Sequence, residues 1–185
     1  GHQWHILEPH RRLGEETPIV CAMSGHWVQR GECAVTDKWT RAAWALAGGA
    51  DLVLELPTVW SCASAERFAR GAVEVLAGTG VVDTLSFGSE SGDLSALRAV
   101  SAVLDWPEYH TKVRELAGTG LSFPVARQQA AEALLGGVSP LAYPNDNLAV
   151  EYLRAIPEDW NVVAVPRRGA AHDGGASGGF ASASH

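Results

Sequence analysis

Short apolar runs alternate with amphipathic segments over the first half of the chain. Three runs have the length and aliphatic content of buried strands, at residues 17–23, 52–56 and 84–87. Each is followed by a segment whose apolar residues recur at helical spacing, at residues 37–47, 64–76 and 93–104. The first of these segments has Thr36 or Asp37 as its cap and Gly48-Gly49 as its stop. The pattern predicts consecutive βα units.

The alternation lapses after residue 104. Three helical segments follow, at residues 108–116, 125–135 and 147–155, before an apolar run at 160–165 predicts a last strand. An amphipathic helix is also expected over residues 1–13, where Pro9 either delays its start or kinks it. This order is typical of an α/β protein with a Rossmann-like, mostly parallel sheet flanked by helices. We expect one domain over residues 1–185, with a helical insertion over residues 105–156 before the last strand.

Composition narrows the class of protein. The chain has 185 residues, of which 46% are hydrophobic and 19% charged, as is ordinary for a globular domain. No apolar run approaches the roughly 20 residues that span a bilayer, so we expect a cytoplasmic protein with no membrane partner. Cys21, Cys33 and Cys62 are odd in number and widely spaced, which argues against a disulfide framework and against a zinc site. No metal site is predicted.

The net charge of −7 arises from 14 basic and 21 acidic side chains. Proteins that bind nucleic acid across their whole surface are basic, because neutralised phosphates supply most of that affinity. Any nucleic acid would therefore be held by a local patch or by a part of the protein outside this segment.

The segment 23–41 carries more hydrogen-bonding and stacking groups than a connector requires. It leaves the carboxyl end of the first predicted strand, the edge at which open parallel sheets bind their ligands. Candidate contacts to a substrate or an RNA are Gln29, Arg30, Lys38 and Arg41. Trp27 is a candidate for stacking on a base.

Structural roles compete with these assignments. Arg41 and Glu32 would form an ion pair, and Trp39 and Trp44 would face the core, as large aromatic side chains usually do. Glu55 and Glu66 are expected to be hydrogen-bonded structural acids.

Several motifs occur in an order that resembles one known family. They are Met-Ser-Gly-His-Trp-Val-Gln-Arg-Gly-Glu (23–32), Asp-Lys-Trp-Thr-Arg (37–41), Asp-Leu-Val-Leu-Glu-Leu-Pro (51–57), Ser-Ala-Glu-Arg-Phe-Ala-Arg-Gly-Ala-Val (64–73), Phe-Gly-Ser-Glu (87–90), Pro-Asn-Asp-Asn-Leu-Ala-Val-Glu-Tyr-Leu (144–153), Pro-Arg-Arg-Gly-Ala-Ala-His-Asp (166–173) and Phe-Ala-Ser-Ala-Ser (180–184). The ordered set covers nearly all of the chain. It resembles the bacterial tRNA(Met) cytidine acetate ligases, which belong to the HIGH-type nucleotidyltransferase superfamily.

The resemblance implies roles for both ends of the sequence. Gly1-His2 is similar to the second half of the superfamily's His-x-Gly-His motif, and His2 would be the catalytic residue. Ser182 and Ser184 are similar to the opening of its Ser-x-Ser/Thr-x-x-Arg motif. The chain is then expected to be truncated at both ends, lacking the first strand and the arginine of the second motif. The remnant of a cleaved tag is an alternative origin for Gly1-His2.

The same resemblance implies ATP-binding residues in the interior. Gly1, His2, His5, Gly88, Asn145, Arg167, Ser182 and Ser184 would form the ATP site. Gly88 has a competing explanation as a turn glycine with positive φ, and Asn145 as a helix cap. Arg168 is an alternative to Arg167 for the phosphate contact.

The reaction that the resemblance implies consumes ATP, with Mg²⁺ expected alongside it, and acetate. Acetyl-adenylate would form first, and the acetyl group would then pass to the exocyclic amine of the anticodon wobble cytidine of elongator tRNA(Met), giving N4-acetylcytidine. Two alternatives remain: another nucleotidyltransferase acting on a small phosphorylated acceptor, and a non-catalytic nucleotide- or RNA-binding module.

Overall fold

The protein is an α/β domain in which helices flank parallel strands. The structure, a computed structural model, describes residues 2–29, 31–137 and 139–167, and of residues 2 and 3 only the backbone. The strands are β1 (Val20–Ser24), β2 (Leu52–Leu56), β3 (Thr84–Ser89) and β4 (Asn161–Pro166). The helices are α1 (His2–Leu13), α2 (Lys38–Ala47), α3 (Thr58–Ser61), α4 (Ala65–Ala77), α5 (Leu94–Val103), α6 (Pro107–Gly118), α7 (Phe123–Leu135) and α8 (Pro144–Ala155), with a 3-10 turn at Pro140–Ala142.

The described strands form two parallel pairs. In one pair β1 lies beside β2, with Val20 opposite Leu52 and Ser24 opposite Leu56. In the other β3 lies beside β4, although four helices separate them in sequence. The carboxyl ends within each pair therefore lie at the same edge. The predicted parallel arrangement is confirmed, and the helices α6 to α8 lie before β4, where the helical insertion was predicted.

The core is built around β3. Its burial alternates along the strand, so that Leu85 and Phe87 are buried while Thr84 and Ser86 are partly exposed. The inward side chains pack with residues of α4, α5, α7 and α8 in one apolar cluster. Phe87 stacks on Tyr152 of α8 with ring centroids 5.8 Å apart. This packing fixes α8 across the end of β3, where the candidate site lies.

Most of the predicted elements are present, with small differences at their ends. The first strand begins at Val20 rather than at residue 17, because Pro18 has no N–H to enter a ladder. Asp37 is the N-cap of α2, and its carboxylate accepts from the backbone N–H of Thr40 at 2.9 Å. Helix α1 runs from His2 through Pro9, so the proposed late start is wrong. The short α3 and the 3-10 turn were not predicted.

Two of the competing structural roles are wrong. Trp39 is 74% exposed and Trp44 is 59% exposed, and α2 carries no buried residue. Arg41 forms no ion pair with Glu32 within the described ranges; its guanidinium instead donates to the backbone carbonyls of Ser24, Gly25 and Thr36. Cys21, Cys33 and Cys62 are all free thiols.

None of the helices in the described ranges is both long enough and apolar enough to cross a lipid bilayer.

Candidate functional site

The end of β3 and the beginning of α8 hold each other through two carboxylates. Glu90, which follows β3, accepts the backbone N–H of Asn145 through Oε1 at 3.1 Å and that of Asp146 through Oε2 at 2.8 Å. In return, Asp146 accepts the backbone N–H of Glu90 at 2.9 Å and that of Ser91 at 3.1 Å. We call these four residues, with Ser89, the β3–α8 clamp. It joins two segments about 55 residues apart in sequence.

Asp146 is the buried centre of the clamp. Its side chain is fully buried, and its Oδ1 also accepts the hydroxyl of Ser89, which is likewise fully buried. Ser89 Oγ in turn accepts from the backbone N–H of Gly92 at 2.8 Å. A buried carboxylate is stable only when its oxygens are hydrogen-bonded, and here both oxygens are used. The turn after β3 is therefore held in one conformation.

Glu90 takes the place of a capping side chain on α8. The N-cap residue, Tyr143, makes no side-chain hydrogen bond to the helix, and Pro144 has no N–H. The next two N–H groups, which a helix leaves unpaired, are the ones bonded to Glu90. Asn145 does not cap α8, so that alternative is wrong. Its side chain faces outward to Glu90 instead, and Nδ2 donates to Oε1 at 2.6 Å.

Arg167 joins the same group from β4. Its backbone N–H donates to the carbonyl of Ser89 at 2.8 Å, which extends the β3–β4 pairing by one bond. Its guanidinium lies 4.0 Å from Glu90 Oε1, at the outer limit of an ion pair, and its side chain is 27% exposed. The guanidinium therefore stands at the rim of the clamp with capacity to bind an anion.

Gly88 lies inside β3 and faces α1. It does not have positive φ, so its interpretation as a turn glycine is wrong. A Cβ built on Gly88 would lie 3.9 Å from both Cε1 and Nδ1 of His5. Glycine leaves open the space between strand and imidazole, which a branched side chain would fill.

The ends of β1 and β2 form a second polar group. Lys38 donates to Glu55 Oε2 at 2.6 Å, which confirms Glu55 as a hydrogen-bonded acid. Glu66 is exposed in the first turn of α4. A cleft of about 70 Å³ lies here, lined in part by Met23, Lys38 and Trp39. A larger depression of about 350 Å³ is lined by residues of α6 and α7 and by none of the described strands.

The structure thus brings four of the predicted ATP-site residues together: His5 beside Gly88, and Asn145 with Arg167 around Glu90. The candidate contact residues of the 23–41 segment differ from one another in their surroundings. Lys38 is ion-paired and Arg41 is committed to backbone carbonyls, while Gln29 is half-buried in the loop after β1. Gly1, Arg30, Arg168, Ser182 and Ser184 lie outside the described residues. His2 is placed at the start of α1, and only its backbone is described.

Glu90 and Asp146 were missed as site residues. The Phe-Gly-Ser-Glu and Pro-Asn-Asp-Asn motifs contain them, and an acid directly after a strand and another at the third position of a helix were the available signals. Acids are not the residues expected around a phosphate, so neither residue was predicted to belong to the site.

Ion pairing of the basic side chains reduces the attraction of this surface for anionic ligands. Most Lys and Arg side chains in the described ranges have an acid within ion-pair distance: Arg11 and Arg12 with Glu8, Lys38 with Glu55, Arg70 with Glu74, Lys112 with Glu115, Arg127 and Arg154 with Glu151, and Arg167 with Glu90. No group of three or more His, Cys, Asp or Glu side chains suited to a metal ion occurs in that part of the chain.

Glu8 in α1 and Tyr152 in α8 have shifted pKa values. Hydrogen bonds from Arg11 and then Arg12 lower the pKa of Glu8, in α1, to about 2. Burial raises the pKa of the Tyr152 hydroxyl. Tyr152 therefore stays neutral and acts as a packing partner of Phe87.

Comparison with known proteins decides the family. A model of the HIGH nucleotidyl transferase family matches residues 1–185. The chain belongs to this family. Similar curated proteins include the tRNA(Met) cytidine acetate ligase of Syntrophomonas wolfei, 43% identical over 179 residues, which cover 91% of this chain and 43% of that protein. That of Caldanaerobacter subterraneus is 41% identical over 178 residues, 92% of this chain and 44% of that protein.

Solved structures agree with the sequence matches. Apo Thermotoga maritima TmcAL superposes with a TM-score of 0.83 at 38% identity, covering 94% of this chain and 44% of that one. The form bound with α-thio ATP gives 0.79 at 38% identity, covering 89% and 43%. The predicted fold and the resemblance to the tRNA(Met) cytidine acetate ligases are confirmed. The chain spans less than half the length of the relatives it matches.

Proposed function

We propose that this HIGH nucleotidyl transferase chain is the ATP-binding part of a ligase that acetylates the anticodon wobble cytidine of elongator tRNA(Met). The observation that carries the proposal is the convergence of His5, Gly88, Asn145 and Arg167 at the carboxyl end of β3 and the facing helices. Open α/β sheets bind nucleotides at that edge. The name shared by the curated relatives supports the acetate ligase activity on tRNA(Met), and the α-thio ATP bound to TmcAL supports ATP as the ligand.

The proposed reaction has two balanced steps. A carboxylate oxygen of acetate attacks the α-phosphorus of ATP, and the bond from that phosphorus to the bridging oxygen breaks to release pyrophosphate. The exocyclic amine of cytidine then attacks the acetyl carbonyl, loses a proton and displaces AMP. Neither step needs a nucleophile from the protein, so catalysis rests on positioning and on charge stabilisation.

Each candidate residue has a distinct part in this scheme. Gly88 admits the nucleotide beside His5, Asn145 contacts the base or ribose, and the fork of Arg167 contacts phosphate oxygens. His2, at the positive end of α1, would stabilise the leaving pyrophosphate, and Gly1, Ser182 and Ser184 are proposed as further ATP contacts.

Magnesium is proposed to arrive with the triphosphate. Mg²⁺ keeps several waters and is usually bound through substrate phosphates with one or two carboxylates, so it does not require a protein cage. Gln29, Arg30 and Lys38 are proposed as contacts to substrate or tRNA. Arg41 is better assigned to holding the loop after β1, because its guanidinium is already bonded to three backbone carbonyls.

Acetate-dependent exchange of labelled pyrophosphate into ATP tests the first step. We expect exchange with acetate and none without it. Nucleoside mass spectrometry of elongator tRNA(Met) after incubation with ATP and acetate tests the second step, and we expect N4-acetylcytidine. Exchange that depends instead on a phosphorylated acceptor would support the other nucleotidyltransferase. ATP binding with no exchange for any acceptor would support the non-catalytic module.

A further inference from the structure

The amide of Asn145 is held in a defined orientation by Glu90. Oε1 of Glu90 accepts from both the backbone N–H and the side-chain Nδ2 of Asn145, at 3.1 Å and 2.6 Å. A carboxylate only accepts hydrogen bonds, so the amide nitrogen must be the atom that faces it. The amide oxygen is thereby turned to the other side. Among the described residues no donor reaches that oxygen.

The carboxylate itself cannot swing away at low cost. Its second oxygen accepts the backbone N–H of Asp146 at 2.8 Å, and the side chain of Glu90 is only 22% exposed. The backbone of Glu90 is fixed in turn by the fully buried carboxylate of Asp146. Each member of the β3–α8 clamp is thus held by another, and the orientation of Asn145 is set before any ligand arrives.

The same contacts make the N-terminus of α8 unsuited to binding a phosphate. Its first available N–H groups are those of Asn145 and Asp146, and both are already bonded to Glu90. A carboxylate in this place would also repel a phosphate. The clamp end of α8 is therefore suited to a neutral, hydrogen-bond-donating part of a nucleotide, while Arg167 serves the charged part at the rim.

We propose that Glu90 is a positioning residue that fixes the Asn145 amide so that its oxygen accepts a hydrogen bond from a neutral donor of the bound nucleotide. The donor is the amino group of adenine or a hydroxyl of the ribose. The inference rests on the proposed ATP site, and it adds a determinant of nucleotide selectivity that lies outside the set of residues touching ATP.

Four nucleotides distinguish the two donors by isothermal titration of the protein. ATP is compared with purine riboside triphosphate, which lacks the amino group, and with 2′-deoxy and 3′-deoxy ATP. We expect one class of analogue to bind about fivefold or more weakly than ATP, because the amide oxygen loses its partner. The analogue that binds more weakly than ATP identifies the group that donates to the amide oxygen.

Variants then test the positioning role. Glu90→Ala removes the acceptor, so the Asn145 amide can turn either way, and the ratio of analogue to ATP dissociation constants should fall toward one. Glu90→Gln keeps an amide oxygen that can accept from Asn145, and it should retain the ratio within about threefold. Asn145→Ala should lose the ratio to the same extent as Glu90→Ala, with no further loss in the double variant.

Glu132→Ala is the matched control. Glu132 accepts a side-chain amide, from Gln128 at 3.0 Å, and a backbone N–H, from Ser139 at 3.3 Å, but it lies in α7, outside the β3–α8 clamp. The ratio of analogue to ATP dissociation constants should not change in Glu132→Ala. A purely structural role for Glu90 would lower the melting temperature and leave the ratio intact.

Three results would overturn the inference while leaving ATP binding in place. They are equal binding of all four nucleotides, an unchanged ratio in Glu90→Ala, and loss of the ratio in Glu90→Gln as well as in Glu90→Ala. If the unmodified protein binds no ATP, the proposed function fails and this inference fails with it.

Discussion

Replacing Arg167 with alanine separates nucleotide binding from folding. The Arg167 guanidinium is 4.0 Å from its nearest carboxylate oxygen and partly exposed, and such pairs contribute about 0–1 kcal/mol to the free energy of unfolding. The backbone bond from Arg167 to Ser89 survives the substitution. A charged hydrogen bond to phosphate contributes about 1.5–3 kcal/mol, so the dissociation constant for ATP should rise roughly 10- to 150-fold.

The assay is isothermal titration with ATP, accompanied by a thermal melt of each variant. The melting temperature should fall by less than about 4 °C. Arg98→Ala is the control, because Arg98 is exposed on α5, and both quantities should stay unchanged. Arg168→Ala is measured beside it, since the sequence left these two neighbours open. An unchanged dissociation constant in Arg167→Ala would remove Arg167 from the site.

Substitutions at three further positions test other parts of the structure. Gly88→Ala should fold normally, because φ is not positive and the new Cβ lies 3.9 Å from His5. Gly88→Val should also retain its fold, but its ATP affinity, measured by titration, should fall at least about tenfold. Asp146→Asn should lower the melting temperature by several degrees, because an amide nitrogen would confront buried donors at a cost of about 1–3 kcal/mol; an unchanged melt would contradict the clamp. Glu8 has a folded-state pKa of about 2 against an ordinary 4.5, so its stabilising effect is present above pH 4.5 and is lost as pH falls toward 2. Urea titrations from pH 6 to pH 2 should therefore show a smaller acid-dependent loss in Glu8→Gln than in the unmodified protein, and equal losses would refute the assignment.

The sequence was sufficient for the elements that bury a periodic face. Strand β3 and helices α4 and α5 have buried residues at strand or helical spacing, and the pattern located them. Helix α3 has four residues, too few for any period to appear. Trp39 and Trp44 were expected in the core because large aromatic residues usually are, but α2 packs against β1 and β2 without burying any of its residues.

The site was predictable only in part. Gly88 and Asn145 were proposed as ATP-binding residues through a resemblance, and the geometry explains their proximity through parallel pairing of β3 with β4 and the docking of α8. The hydrogen bonds from Arg41 to backbone carbonyls could not be predicted from the sequence. An arginine in a loop looks the same in a sequence whether it binds a ligand or the loop itself. Hydrogen bonds between residues about 55 positions apart, as in the clamp, depend on the final packing and leave no local periodicity.

The clamp also explains why the helical insertion belongs to the proposed nucleotide site and not only to the core. α8 contributes Val150 and Tyr152 to the packing below β3, and from its first turn it contributes Asn145 and Asp146 to the edge above. A shift of α8 along its axis would break four backbone-to-carboxylate bonds at once, because Glu90 and Asp146 each accept two N–H groups from the other segment. The position of the Asn145 amide is therefore set by the docking of α8 against β3 and by the clamp that locks it there.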